Sequence, residues 1–336
     1  MSSFTETLDP LVAEAKRIFK EKIDDKHEPE CTVFAPGRCN LIGEHVDYNG
    51  GFVLPFAMPF KTVIVGSKST RENRKTQVYT SISAGDAYVD TTFIISDMKK
   101  GDPEWANYVK GTIAQYLPDL PQNAVIDMVI VSNVPLGAGL SSSAALEVAV
   151  ATFLETLYNI TTVTGVEKAL RCQKAEHTWA DTPCGIMDQY ISAMGQDGNL
   201  LLIDCRSREY QLVPFGGGGG SVPVLMVTNS LVKHALSDSE YPDRVRQCRE
   251  AVEIISKKHP QVKELRDATM EMVEEAKAEM PDVNYRRARH CVTEDARTLD
   301  TVERLKVGDF ANVGKVLRNM LQKLNFRFLS LNSSLA

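Results

Sequence analysis

Residues 134–151 read Val-Pro-Leu-Gly-Ala-Gly-Leu-Ser-Ser-Ser-Ala-Ala-Leu-Glu-Val-Ala-Val-Ala, a pattern that suits an anion. Gly137 and Gly139 accept backbone angles that other residues avoid and let the chain come close to a ligand. Ser141, Ser142 and Ser143 fall where the first turn of a following helix points its unbonded N–H groups outward. That end of a helix carries partial positive charge and holds phosphate. A serine-capped helix after a tight turn would look the same, so both readings stay open. A Walker A loop is excluded, because no Gly-Lys-Ser/Thr follows the glycines. The dinucleotide fingerprint is excluded too, because serines stand where its last glycine belongs. A second dense stretch, residues 36–51, carries Arg38, Glu44, His45 and Asp47 beside two apolar runs. Charge and glycine gathered between two strand candidates suggest a site loop, against the plainer reading of a solvated surface turn.

The elements that position these residues follow from periodicity. Residues 124–133 are rich in Val and Ile and predict a strand entering the glycine loop. The apolar pattern from Ala144 to Ala149 predicts the helix that leaves it. Residues 3–22 predict an amphipathic docking helix, with Leu8, Leu11, Val12, Ala15, Ile18 and Phe19 on one face and Ser3 and Glu6 spaced for a capping box. Further strands are predicted at 32–35, 61–67, 76–82, 87–95, 198–204, 208–214 and 224–229. Helices are predicted opening at 104–110, over 166–179 and from about 186, where Pro183 and Gly185 fix a preceding turn. Five glycines at 216–220 predict a flexible loop. Helices then dominate, at about 243–258, 261–279, 285–302 and 308–322. In the third of these, Arg286, Arg287, Arg289 and His290 read as a solvated face. The mixture is α+β.

At 336 residues, the chain can form one large domain or two ordinary ones. Its 43% apolar and 24% charged residues are those of a soluble globular protein. A net charge of -6 argues against nucleic acid as a partner, and no run is long and apolar enough for a membrane. The seven cysteines show no C-x-x-C spacing and no zinc cluster. Without a leader, they read as reduced thiols in the cytoplasm.

The glycine–serine stretch resembles the second motif of the GHMP small-molecule kinases. The first loop, Gly37-Arg-Cys-Asn-Leu-Ile-Gly-Glu-His-Val-Asp-Tyr48, resembles the signature of their galactokinase branch. Cys184-Gly-Ile-Met-Asp-Gln189 matches a third galactokinase segment, and Ser239 to Cys248 a fourth. The resemblance implies a two-domain α+β GHMP kinase fold, residues 1–180 and 181–336, with the active site in the inter-domain cleft. It implies that Glu44, His45, Asp47, Gly185 and Tyr241 hold galactose. Short acidic side chains suit this, since each accepts from adjacent hydroxyls and can leave an epimer's hydroxyl unpaired. The resemblance further implies that Trp105 lies beside the base of ATP, with Gly137, Gly139 and Ser141–Ser143 on its phosphates. It makes Ser142 and Glu176 the ligands of Mg2+, Asp188 the catalytic acid or base, and Arg38 its cationic neighbour. A plainer role exists for each: core packing for Trp105, a surface helix position for Glu176, complement to a helix dipole for Asp188.

The implied activity is ATP-dependent phosphorylation of galactose at its anomeric hydroxyl by a cytoplasmic monomer. The alternatives are an N-acetylgalactosamine kinase, a catalytically silent galactokinase-like sensor and a truncated isoform. The match runs from about residue 30 to about 318, whereas galactokinases continue into a third glycine-rich motif and no glycine follows Gly314 here. The C-terminal domain is therefore expected to be incomplete.

Overall fold

The computed structural model describes residues 9–69, 75–81, 89–216, 223–228 and 241–327. In chain order its elements begin with helix α1 (Pro10–Lys22), then strands β1 (Cys31–Asn40), β2 (Phe52–Val53), β3 (Pro55–Lys68), β4 (Thr76–Thr80) and β5 (Val89–Phe93). Helix α2 (Ala106–Tyr116), strand β6 (Ile126–Ser132) and helices α3 (Ser142–Tyr158), α4 (Gly165–Trp179) and α5 (Met187–Met194) follow. Strands β7 (Asn199–Asp204) and β8 (Tyr210–Pro214) lead to helices α6 (Tyr241–Ser256), α7 (Met270–Ala276), α8 (Asp282–Lys306) and α9 (Phe310–Arg327).

These elements form two compact units. One gathers the described residues up to Cys39 together with Ala57–Asp197, and the other gathers Asn40–Phe56 with the described residues from Gly198 on. The sequence reading sets a single break near residue 180, and the structure differs in two places. Residues 181–197 stay with the first unit because α5 packs on α3 and α4. Residues 40–56 join the second because β2 pairs antiparallel with β7, Val53 opposite Ile203.

The first unit is built on a sheet in the order β1-β3-β6-β4-β5. Here β3 runs antiparallel to β6, with Val65 opposite Val129, and β4 runs parallel to β6. Val12, Ala15, Ile18 and Phe19 of α1 pack on one face, against Val63, Val65, Val129 and Val131. The other face presents Ile64, Ile126, Met128 and Ile130 to α2 and α3. Successive strand residues point to opposite faces, so β6 is buried on both. That is why its sequence reads as a nearly unbroken apolar run. Asp9 caps α1 by accepting from the Leu11 N–H at 2.9 Å, with Pro10 at the first helical position. The Ser3–Glu6 capping box lies outside the described residues.

The second unit sets the sheet β2-β7-β8 against α8 and α9. Its core joins Leu41, Ile42, Leu54, Leu200 and Val213 to Val302, Leu305 and Val313. The long helix expected over 261–279 is broken. Glu264 and Asp267 form a reciprocal capping box on a 3-10 turn, and Thr269 caps α7 separately. The strand expected at 224–229 does not form over the described residues 223–228, where Val224 and Met226 are 89% and 86% exposed. Alternating apolar residues supply propensity, but a strand also needs a partner for its N–H and C=O groups. Of the five-glycine loop, residues 217–220 lie outside the described residues. All seven cysteines are free thiols. Among the described residues, no helix is long and apolar enough to cross a membrane.

Gly37 lets β1 and the glycine loop approach each other. A Cβ there would stand 2.7 Å from the Leu140 carbonyl oxygen and 3.0 Å from Val134 Cγ1. The carbonyl of Leu140 also accepts from the Arg38 N–H at 3.1 Å, so it cannot retreat without losing that bond. Gly37→Ala is expected to cost about 1–3 kcal/mol, the range of overpacked sites. A thermal midpoint unchanged from the native chain would contradict this close docking.

Candidate active site

In the first unit, β1 carries Arg38 and the turn after β6 carries the glycine loop. Gly137 and Gly139 have φ of 67° and 73°, the left-handed region that glycine enters without penalty. Ser141 follows at φ 55°, and α3 begins at Ser142 with no side chain capping its first turn. Instead of capping, the Ser141 hydroxyl donates to Asp188 Oδ2 at 2.6 Å. Asp188 stands in the first turn of α5. Arg38 grips the same carboxylate with its fork, Nε to Oδ1 at 2.7 Å and Nη2 to Oδ2 at 2.8 Å. Its third nitrogen, Nη1, donates to the Gly139 carbonyl at 2.6 Å. Arg38, Gly139, Ser141 and Asp188 thus form one cluster, with the open end of α3 beside it. This geometry holds an ionised carboxylate and offers backbone N–H groups to an anion.

Glu176, on α4, is buried at 4% exposure. Its Oε2 accepts from Gln189 Nε2 at 2.5 Å, and Cys184 Sγ lies 3.5 Å away. The Ser143 hydroxyl beside Glu176 favours its ionised form, against the push of burial. Burial and then the charge of Asp188 push the Glu176 carboxyl up to about 7. Glu147 on α3, fully buried, shares the Gln189 amide at 3.1 Å, and burial together with the charge of Glu176 pushes its carboxyl well above the usual carboxylate range. The sequence reading missed Glu147. Its signal was a single acid inside an otherwise apolar helix, Ala-Ala-Leu-Glu-Val-Ala. Among the described residues, no group of three or more His, Cys, Asp or Glu could hold a metal by itself. A hydroxyl and a carboxylate amid mutually repelling acids nevertheless suit a hard dication that keeps its waters. Trp105 precedes α2 at the edge of the main core, and its buried indole N–H has no hydrogen-bond partner among the described residues. Gly185 is buried in the turn before α5.

In the second unit, the loop after β1 passes Glu44, His45 and Asp47. Glu44 Oε1 accepts from Asn40 Nδ2 at 2.9 Å, and Asp47 opens a 3-10 turn. His45 Nδ1 lies 2.9 Å from the Tyr48 hydroxyl. Tyr241, at the start of α6, brings its ring centroid to 5.3 Å from Tyr48 and 6.0 Å from His45. Burial pushes His45 down to about 3, so its ring is neutral at ordinary pH. The segment preceding Tyr241 lies outside the described residues.

The expected solvated face on α8 is wrong for two of its four residues. Arg287 and His290 are 4% and 1% exposed. Arg287 Nε donates to Gln247 Oε1 at 2.9 Å, and burial with Arg244 and Arg286 nearby pushes it down to about 10. His290 Nε2 lies 2.8 Å from the Glu44 carbonyl oxygen. Arg286 and Arg289 remain part-exposed.

Asp295 on the same helix accepts from the Phe52 N–H at 2.8 Å, yet burial pushes it up to about 6 from 3.8. Raised in the folded state, this acid keeps its proton at pH values where the unfolded chain has lost it. Stability therefore falls as pH rises from about 4 to about 6, by roughly 3 kcal/mol at 1.4 kcal/mol per pKa unit. Asp295→Asn keeps the oxygen that accepts from Phe52 and removes the titration. Its stability gain over the native chain should grow across that window. A gain that is constant with pH would refute the assignment.

Two family patterns match the chain. The galactokinase galactose-binding signature covers residues 17–68, and the GHMP kinase N-terminal domain covers residues 107–196. The fold agrees with the second: the phosphomevalonate kinase of Streptococcus pneumoniae superposes with a TM-score of 0.56 at 13% identity, over 88% of this chain and 80% of that one. This is the two-domain α+β fold of the GHMP kinases. Human galactokinase is 45% identical over 311 residues, 91% of this chain and 76% of the relative. The structure of Lactococcus lactis galactokinase complexed with galactose superposes with a TM-score of 0.79 at 26% identity, over 93% of this chain and 79% of that one. The chain belongs to the galactokinase family.

Proposed function

We propose that the chain transfers the terminal phosphoryl group of ATP to the anomeric hydroxyl of galactose, giving galactose 1-phosphate. The observation that carries this reading is the Asp188 carboxylate, held by the Arg38 fork and the Ser141 hydroxyl at the open end of α3. Galactose is held by Glu44, His45, Asp47, Gly185 and Tyr241, and the phosphates of ATP by the N–H groups of Gly137, Gly139 and Ser141–Ser143. Trp105 lies along the base. Ser142 or Ser143 with Glu176 would hold Mg2+, which neutralises charge on the phosphates when bound. Asp188 orients the sugar hydroxyl and takes its proton late, because phosphoryl transfer passes through a loose transition state. Arg38 keeps Asp188 ionised and supplies positive charge beside the moving group. Ser141, Ser142 and Ser143 are all present, which favours an enzyme over a silent sensor. One chain supplies every residue invoked, so a monomer suffices.

The test is ADP release by the purified chain with ATP and magnesium. Galactose is compared with a no-sugar blank and with N-acetylgalactosamine. Galactose-dependent release is expected. Release with N-acetylgalactosamine alone would move the reading to that kinase, and none with either sugar would leave a non-catalytic protein.

A further inference from the structure

We propose that Glu294 and His290, one turn apart on α8, are positioning residues for the sugar: they fix the backbone of residues 43–45 and so set how tightly galactose is held. The inference rests on the reading of Glu44, His45 and Asp47 as the sugar-holding residues. That loop has an uncommon backbone. Gly43 has φ of 100° and His45 φ of 62°. At Gly43, a Cβ would meet the Phe52 carbonyl oxygen at 2.5 Å and Val53 Cα at 2.7 Å. His45 does carry a Cβ, and a left-handed residue of that kind persists only where its surroundings dictate it.

The dictating groups come from α8. Glu294 Oε1 accepts from the Gly43 N–H at 3.1 Å and the Glu44 N–H at 3.4 Å. Its other oxygen accepts from Arg297 Nε at 2.7 Å. The Glu44 carbonyl meets His290 Nε2 at 2.8 Å. A carbonyl only accepts, so Nε2 carries the proton. One residue on, the His45 carbonyl accepts from Asn49 Nδ2 at 2.9 Å and more weakly from Cys291 Sγ at 3.7 Å. The Gly43 and Glu44 N–H groups and the Glu44 and His45 carbonyls, which flank the Glu44 side chain, are thus tied to α8 or to the loop itself. Glu294 and His290 are 0% and 1% exposed. Neither is open to a ligand, so both act through the loop. Spacing of i and i+4 puts them on one helix face.

Three variants test the inference in the full chain: Glu294→Ala, His290→Leu and His290→Gln, the last keeping a donor for the Glu44 carbonyl. Affinities for galactose and for ATP are measured separately by calorimetry, after thermal unfolding has shown which variants fold. Glu294→Ala and His290→Leu are expected to weaken galactose about tenfold or more, the scale of leaving a buried backbone group unsatisfied. ATP affinity should stay within about twofold, and His290→Gln within about threefold of the native chain for galactose. If Glu294→Ala does not fold, the two His290 variants decide. Native galactose affinity in folded His290→Leu would overturn the proposal. So would a parallel loss of ATP affinity, or a His290→Gln as weak as His290→Leu. A native chain that binds ATP but not galactose defeats the functional reading itself, before any variant is compared.

Discussion

Asp188→Asn is expected to lower galactose-dependent turnover by about 10²–10⁴-fold, the range of a positioned general acid or base. The side chain keeps its size, so the loss tests charge and proton acceptance. In the native chain, three donors converge on this carboxylate: Arg38 Nε and Nη2, and the Ser141 hydroxyl. An asparagine offers one acceptor oxygen and an amide nitrogen. Whichever way it is turned, the amide faces one nitrogen of a fork that only donates. The variant therefore also loosens Arg38, and binding of ATP and galactose must be measured beside turnover. Affinities within a few fold, with turnover collapsed, identify a group used in the transition state rather than the ground state. Turnover within a few fold of the native chain would sink the catalytic role of Asp188. It would reduce the cluster to a structural link between β1, the glycine loop and α5.

The glycines and serines of this cluster were legible because their chemistry depends on local spacing, whereas Arg38 and Asp188 were brought together only by the resemblance to galactokinases. Two glycines and three serines before an apolar helix describe an anion-holding turn wherever they occur. The alternation of β6 between two cores likewise leaves a continuous apolar run. What escaped depended on partners distant in the chain. Glu147 looked like one acid on an apolar helix, and only folding gives it Gln189 and Glu176. His290 and Arg287 sit in a run of cationic residues whose composition suggests solvent. Yet helical spacing turns His290 and Glu294 toward the backbone of residues 43–44, more than 240 positions away. Polar residues bury when a backbone needs their hydrogen bonds, and no window of sequence contains both halves of such a pair. The units divide elsewhere for the same reason: the pairing of Phe52 with Asp204 spans the break at residue 180 that the resemblance implied.

Arg38 gives the second large effect. Arg38→Met is expected to lower turnover by about 10²–10³-fold, the scale of removing a preorganised donor from developing charge. Arg38→Lys should recover no more than about tenfold of that loss, although it restores the charge. The reason is geometric. Arg38 contacts three acceptors with three nitrogens, two on Asp188 and one on the Gly139 carbonyl at 2.6 Å. A planar fork meets a carboxylate with two parallel bonds, whereas an ammonium is a point charge on a flexible stem. Lysine would neutralise Asp188 without fixing its plane or tethering the glycine loop. Because Arg38 and Asp188 act as one unit, Arg38→Met combined with Asp188→Asn should lose little more than the worse single variant. Multiplicative losses would mean that the two residues act independently and that the bidentate pair is incidental to turnover. Full activity in Arg38→Lys would carry a different meaning: charge alone suffices, and the fork serves only to dock the loop.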